Sequence, residues 1–197
     1  MMAKWREKDP WIEEQLKLHS EWLADNQKGK RADLSGSRLS AYDFRNRDLR
    51  QVNFFYAILV GCDFRGANVL GANFRSAALS GADFRGAIGL PTAPVIPNLD
   101  RRILRAIGSK KPRLGTGKGK RLEMYTYHTC DTTHCRAGWA IHLAGKAGLE
   151  LEEKYGSDAA GAFIYATSRH DMPVPDFYAS NEDALADIVK CAAQEGR

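Results

Sequence analysis

The 197-residue chain contains no run approaching about 18 consecutive apolar residues, so no segment is expected to span a membrane. Its opening MMAKWREKDP has no apolar core of the kind a secretory signal requires. Cysteine is scarce, with four residues at unrelated spacings, which is no disulfide framework. Without an export signal they read as reduced thiols in a cytoplasmic protein. What remains is an ordinary soluble composition, 44% hydrophobic and 27% charged, with room for one or two small domains. The net charge of +5 is unevenly spread. Residues 98–123 hold nine Lys or Arg against two Asp or Glu, whereas residues 124–197 hold six against eleven. The positive charge therefore belongs to one connector.

The strongest signal is a period of five. Every fifth residue from 34 to 84 is large and apolar: Leu34, Leu39, Phe44, Leu49, Phe54, Leu59, Phe64, Val69, Phe74, Leu79 and Phe84. Two positions before each stands a mostly small residue, such as Ala32, Ala57, Cys62 or Ala82, and Gly or a small polar residue commonly closes the unit. A helix repeats every 3 or 4 residues and a strand every 2. A chain that turns inward once per five residues is instead a coil with recurring corners, and such coils stack as a solenoid. The triplet Asp-Phe-Arg returns at 43–45, 63–65 and 83–85, once every fourth unit.

Units such as ADLSG, CDFRG, GANFR and GADFRG resemble the pentapeptide-repeat family, over about 55 residues (32–86). The resemblance implies a right-handed quadrilateral β-helix with four units per coil, so that residues 20 apart stack. At the ordinary strand spacing of about 4.8 Å the eleven units make a stub only ~10–15 Å tall. Asp43, Asp63 and Asp83 then form one column, beside a second of Arg45, Arg65 and Arg85. That wall has two readings. It is a self-neutralised, solvated surface, or its guanidinium forks face a phosphate or carboxylate partner. The other columns are less uniform: Ser35, Phe55 and Arg75 on one, Arg50 over Leu70 on another. Exposed Phe55 and Leu70 there suggest a covered patch.

The segments around the repeats are read as a cap, a connector and a second domain. Asp9 is a candidate N-cap with Pro10 as the first helical residue, followed by Trp11, Ile12, Leu16, Leu18, Trp22 and Leu23 at helical spacing. A solenoid end needs such a lid. Tyr42 and Arg47 stand at inward positions of the first coil, where an Arg needs a carboxylate; Glu13, Glu14 and Glu21 are the candidates. Gly89 stands where the next large residue belongs, and PTAPVIP (91–97) then enforces an extended boundary. LDRRILRAIG (99–108) is predicted helical. SKKPRLGTGKGKR after it is a basic loop, lacking the strand, spacing and Ser or Thr of a phosphate loop. Lys110, Lys111, Arg113, Lys118, Lys120 and Arg121 are its candidate polyanion-binding residues. The expected divisions are a helical cap at 1–31, a β-helix at 32–90, a connector at 91–123 and an all-α domain at 124–197.

YTYHTCDTTHCRAGW (125–139) gathers His128, Cys130, His134 and Cys135, four side chains of types that bind zinc. Their spacing matches no familiar site, so neither a metal nor a cofactor is expected. Thr132 or Thr133 is a plausible N-cap, placing Cys135 in the first turn of a helix through Trp139, His142 and Leu143. A thiol there can have a lowered pKa. Further helices are expected at about 157–168 and 181–194, the latter opened by Ser180 with Asp183 three residues on. Phe177 and Tyr178, in the loop between them, are expected to anchor in the helical core.

The functional expectation is a non-enzymatic interaction protein that binds and modulates or inhibits a nucleic-acid-associated partner. That partner is a DNA-processing enzyme or a ribonucleoprotein complex, and phage-type counter-defence is one setting for it. Direct nucleic-acid contact through the connector is also envisaged. One alternative is a cysteine-dependent enzyme centred on Cys135 with His128 or His134 as base. The resemblance raises another, a gyrase-binding mimic of duplex DNA. A mimic needs acidic walls, and this repeat surface is short and near neutral to basic.

Overall fold

The computed structural model describes residues 9–108, Leu114, residues 121–122 and residues 133–195, the side chains of Arg121, Thr133 and His134 excepted. From 32 to 88 the chain winds as a solenoid with four corners per coil. Parallel bridges join residues 20 apart, among them Asp33 to Asn53, Arg38 to Ile58, Asp43 to Asp63 and Asp48 to Asn68, and the series ends at Asn68 to Ile88. The sides are β-helix-like but only one bridge wide, so no extended strand forms there. Leu34 N–H donates to Asn53 O at 2.8 Å, and Asn53 N–H donates down to Ala32 O at 3.1 Å.

The five-residue period follows from the corner. In each unit the N–H three residues after the large apolar residue donates to its carbonyl, as Tyr42 does to Leu39 and Ala67 to Phe64. The third residue of each four-residue turn has positive φ, the mark of a type II turn. Gly serves there at 36, 61, 66, 71, 81 and 86, whereas Ala41, Asn46, Gln51, Tyr56 and Ser76 accept the left-handed conformation without it. Each turn throws one large side chain inward. Phe44, Phe64 and Phe84 stack at 5.0 and 4.9 Å, Phe54 and Phe74 at 5.1 Å, and the two stacks meet edge to face.

Both ends of this core are covered. Helix α1 (Pro10–Ala24) begins with Asp9 accepting from Trp11 N–H and buries Ile12, Leu16 and His19 on the first coil, while Trp11 stays outside. Tyr42 is buried beneath it. Arg47 is not fully buried as its inward position implied; it slants outward, half-exposed, to meet Glu13. At the other end Gly89 has φ +78°, and a Cβ there would lie 2.5 Å from Leu70 Cα. The chain leaves the coil at that point and continues as 91–97 into α2 (Leu99–Ile107).

The remaining elements are β1 (Arg121–Leu122), β2 (Thr133–His134), α3 (Arg136–Leu143), α4 (Lys146–Tyr155), α5 (Ser157–Ser168) and α6 (Asn181–Gln194). The C-terminal part is thus mainly helical, though not all-α as expected: β2 pairs in parallel with β1. Helix α5 packs on α3 and α4, and α2 packs on α6. Gly161 permits a close crossing of α5 on α3, since a Cβ there would meet Ala137 Cβ at 2.6 Å. Phe163 of α5 lies on Phe74 and Phe84, at 5.8 and 6.3 Å, and so continues the aromatic column of the solenoid. The open backbone edge of the last coil is satisfied by the same helical part. Ser76 N–H donates to Tyr155 O, Leu79 N–H to Asp158 Oδ1 and Gly81 N–H to Pro175 O, while Ala82 O accepts from Val174. Among the described residues no helix is long and apolar enough to cross a membrane.

Candidate functional site

The wall carrying the Asp and Arg columns has a definite geometry. Asp43, Asp63 and Asp83 precede the corner residue and accept from the backbone N–H of Arg45, Arg65 and Arg85 at 3.0–3.1 Å. Each Arg then folds back on its own Asp. Nε donates to Oδ1 at 2.9 Å in all three, and Nη2 donates to Oδ2 at 2.7, 2.6 and 2.6 Å. The carboxylates also reach between coils: Asp63 Oδ2 lies 3.5 Å from Arg45 Nε, and Asp83 Oδ2 lies 3.5 Å from Arg65 Nε. Side-chain exposure is 28% at Asp43, zero at Asp63 and 14% at Asp83, while the three Arg side chains stay 40–45% exposed.

The consequence is a pre-ordered ladder whose side-on Arg edge is already spent on Asp. What faces outward is the remaining guanidinium edge and its planar surface, in a charge-balanced wall. The Arg45 partner holds the Asp43 carboxyl below its usual range, and Asp83 is likewise lowered by its bonds from Arg85 against the opposing effect of burial. Arg50 pairs with Asp48 in the same way.

The other expected binding residues are placed less uniformly. Phe55 is half-buried against Tyr56, ring to ring at 4.5 Å, rather than freely exposed, and Tyr56 is the exposed member. Leu70 is exposed, with Ile88 stacked 20 residues on from Asn68 beside it. Arg75 is exposed, its backbone N–H donating to Asn73 Oδ1. That column also carries an amide ladder, Asn73 to Asn53 to Asp33, which periodic reading of the large residues had passed over. Lys110, Lys111, Arg113, Lys118 and Lys120 lie outside the described residues, and of Arg121 only the backbone, in β1, is described.

The cysteine cluster is only partly described: His128 and Cys130 lie outside it, and His134 is placed by its backbone in β2. Cys135 is the N-cap of α3 rather than a first-turn residue, its Sγ accepting from Gly138 N–H at 3.4 Å. It is 3% exposed, and burial pushes its thiol up, not down as the helix position suggested. A raised, enclosed thiol is a poor nucleophile. Ser180 caps α6 by accepting from Asp183 N–H, and its hydroxyl donates to the Asp183 carboxylate. Phe177 is buried against Tyr165, but Tyr178 is 54% exposed and does not enter the core; its hydroxyl donates to Asp158.

A family model described as pentapeptide repeats matches residues 32–69 and 61–88, with 8 copies. Residues 32–88 are pentapeptide repeats. Among solved structures the pentapeptide-repeat segment is similar to a pentapeptide repeat protein from the cyanobacterium Cyanothece 51142, at 31% identity and TM-score 0.24, over 28% of this chain and 44% of that one. It is also similar to one from the thylakoid lumen of Arabidopsis thaliana, at 39% identity and TM-score 0.20, over 28% and 42% of the two chains. The chain thus spans less than half the length of either. No curated protein matches it.

Proposed function

We propose that the chain is a non-enzymatic interaction protein, in a cytoplasmic setting, that binds and modulates a nucleic-acid-associated protein or nucleoprotein complex. Pentapeptide-repeat proteins are generally structural or interaction proteins, which supports the class. The observation that carries the reading is the Asp–Arg ladder. Three guanidinium groups are held at the coil spacing by carboxylates from their own units, so a partner meets them without ordering long side chains first. A charge-balanced wall suits a polar protein surface. It is a poorer match for bare phosphate backbone, because each Arg already has an anionic partner, and it is not the acidic face a duplex mimic needs.

Nucleic acid enters this reading through the connector. Arg102 and Arg105 on α2 are exposed, and the sequence continues with Lys110, Lys111, Arg113, Lys118, Lys120 and Arg121. The proposed division of labour has the repeats and the helical part forming a protein-binding body, with the basic stretch reaching the polyanion its partner carries. Capture of partners from a native host lysate, with and without nuclease, tests it. A partner retained after nuclease but lost on replacing Arg45, Arg65 and Arg85 supports protein recognition by the ladder. Partners that vanish with nuclease and ignore the ladder would replace it with direct nucleic-acid binding.

A further inference from the structure

The α5–α6 loop, α3 and α6 enclose a cleft of about 510 Å³ whose floor holds two arginines. Arg136 is 1% exposed and fully engaged: Nε on Tyr165 OH at 3.1 Å, Nη1 on Asp187 Oδ2 at 2.6 Å and Nη2 on Asp100 Oδ1 at 2.8 Å. Arg169, 6% exposed, takes the second oxygen of Asp100 through Nη1 at 2.5 Å. Both guanidinium carbons lie over the Tyr165 ring, at 5.3 and 5.4 Å from its centroid.

The rest of Arg169 is poorly satisfied. Among the described residues its Nε is buried with no hydrogen-bond partner, and its Nη2 meets only the Met172 thioether, at 3.2 Å. Nε and Nη2 form the side-on edge of a guanidinium. That same edge chelates a carboxylate in Arg45, Arg50, Arg65 and Arg85 of this chain. Buried charged donors left unpaired are rare and costly, so Arg169 presents a carboxylate-chelating edge behind a movable thioether. Arg136 and Arg169 are balanced by Asp100 and by Asp187, which binds Arg136, so the network is neutral overall with Arg169 Nε and Nη2 as its unspent donors among the described residues. Asp176 and Asp183, both exposed in the lining, make the mouth negative. Between floor and rim the lining is apolar, with Pro173, Val174, Ala179 and Ala184.

We propose that this cleft binds a small zwitterion of the apolar α-amino-acid class, carboxylate inward on the Nε/Nη2 edge of Arg169 and ammonium outward toward the rim carboxylates. The volume suits such a ligand, within the range of about 300–1,000 Å³ usual for small-molecule sites. Met172 acts as the plug, its flexible side chain swinging aside as the carboxylate takes its place.

The test uses the full chain with L-leucine, L-leucinamide and 4-methylpentanoate as probes, read by thermal shift and calorimetry. L-leucine raises the melting temperature with dose. The amide, which lacks the carboxylate, and the acid, which lacks the ammonium, each bind weaker by about tenfold or more. Met172→Glu supplies a carboxylate to Arg169 from within the chain, so it keeps the fold, raises the melting temperature and abolishes the L-leucine response. Met172→Ala removes the plug and strengthens binding. No response to L-leucine in the wild type and in Met172→Ala, an equal response to L-leucinamide, or an undiminished response in folded Met172→Glu would each overturn the proposal.

Discussion

Replacing Glu13 by Gln tests how the solenoid is closed at its first coil. Glu13 is the hub of that junction: both its oxygens accept from Arg47 Nη2 at 2.8 Å, and Oε1 also accepts from Tyr42 OH at 2.7 Å. A charged hydrogen bond contributes about 1.5–3 kcal/mol when well enclosed. Here the paired side chains are 31% and 29% exposed, so solvent screening reduces the worth of the pair. Gln keeps one acceptor for Tyr42 but loses the charge facing Arg47, which gives a net cost of about 2 kcal/mol. For a chain of this size that lowers the melting temperature by about 4–8 °C. Circular dichroism melts of Glu13→Gln, Arg47→Met and the double variant measure the cost and the coupling. Glu14→Gln is the control, because Glu14 pairs with exposed Lys17, at 3.9 Å. Equal melting of Glu13→Gln and wild type, or additive single effects, would refute the reasoning.

Three further outcomes follow from close local packing. His19 is fully buried, its Nδ1 accepting from Ala32 N–H, and burial lowers its pKa against the raising effects of the Arg50 backbone and of nearby Asp48, with the charges of Arg31 and Arg50 lowering it further. The unfolded chain therefore binds the proton more readily, so this contribution is complete above about pH 6.5 and is lost as pH falls through the depressed folded value. Wild type then loses more melting temperature between neutral and mildly acid pH than His19→Gln, and parallel losses would contradict it. Gly89→Ala combines positive φ with a Cβ 2.5 Å from Leu70 Cα and destabilises by at least about 2 kcal/mol in denaturant titration; a change within error would show that the chain exit relaxes freely. Cys135 in the folded protein resists iodoacetamide at neutral pH and reacts once unfolded, whereas rapid native labelling, followed by mass spectrometry, would restore the enzyme alternative.

The repeats were legible because each unit carries its own instruction: a large residue to fill the coil and a turn closer two positions later. The boundaries of α5 and α6 were legible too, the second from its Ser180 cap. Helix α4 was missed. Gly145 and Gly148 weaken its local signal, and Leu149 is exposed while Leu151 is buried, so no clear apolar stripe marks it. The Asp–Arg columns could be placed from the period, but not the folding of each guanidinium onto its own Asp, since that depends on side-chain torsions. The network of Asp100, Arg136, Arg169 and Asp187 joins residues up to 69 positions apart and leaves no local spacing to read. Likewise, that Cys135 is raised by burial is a property of the packed helices, whereas a helix start alone argues for the reverse.

The most direct test of the interaction account is the affinity of the captured partner for the chain in which Arg45, Arg65 and Arg85 are all replaced by Gln. The guanidinium-bearing side chains are 40–45% exposed but Asp63 is fully buried and loses both Arg45 and Arg65, so the triple variant should keep the wild-type circular dichroism spectrum while melting at a lower temperature, and affinity is compared where it is fully folded. The account predicts affinity weakened by at least about tenfold. A salt series run in parallel on a connector variant, with Lys110, Lys111, Arg113, Lys118, Lys120 and Arg121 neutralised, assigns any polyanion contribution, at roughly one unit of log–log slope for each phosphate no longer neutralised. Unchanged affinity in a folded triple variant would contradict the central claim and leave the ladder as a solvated wall.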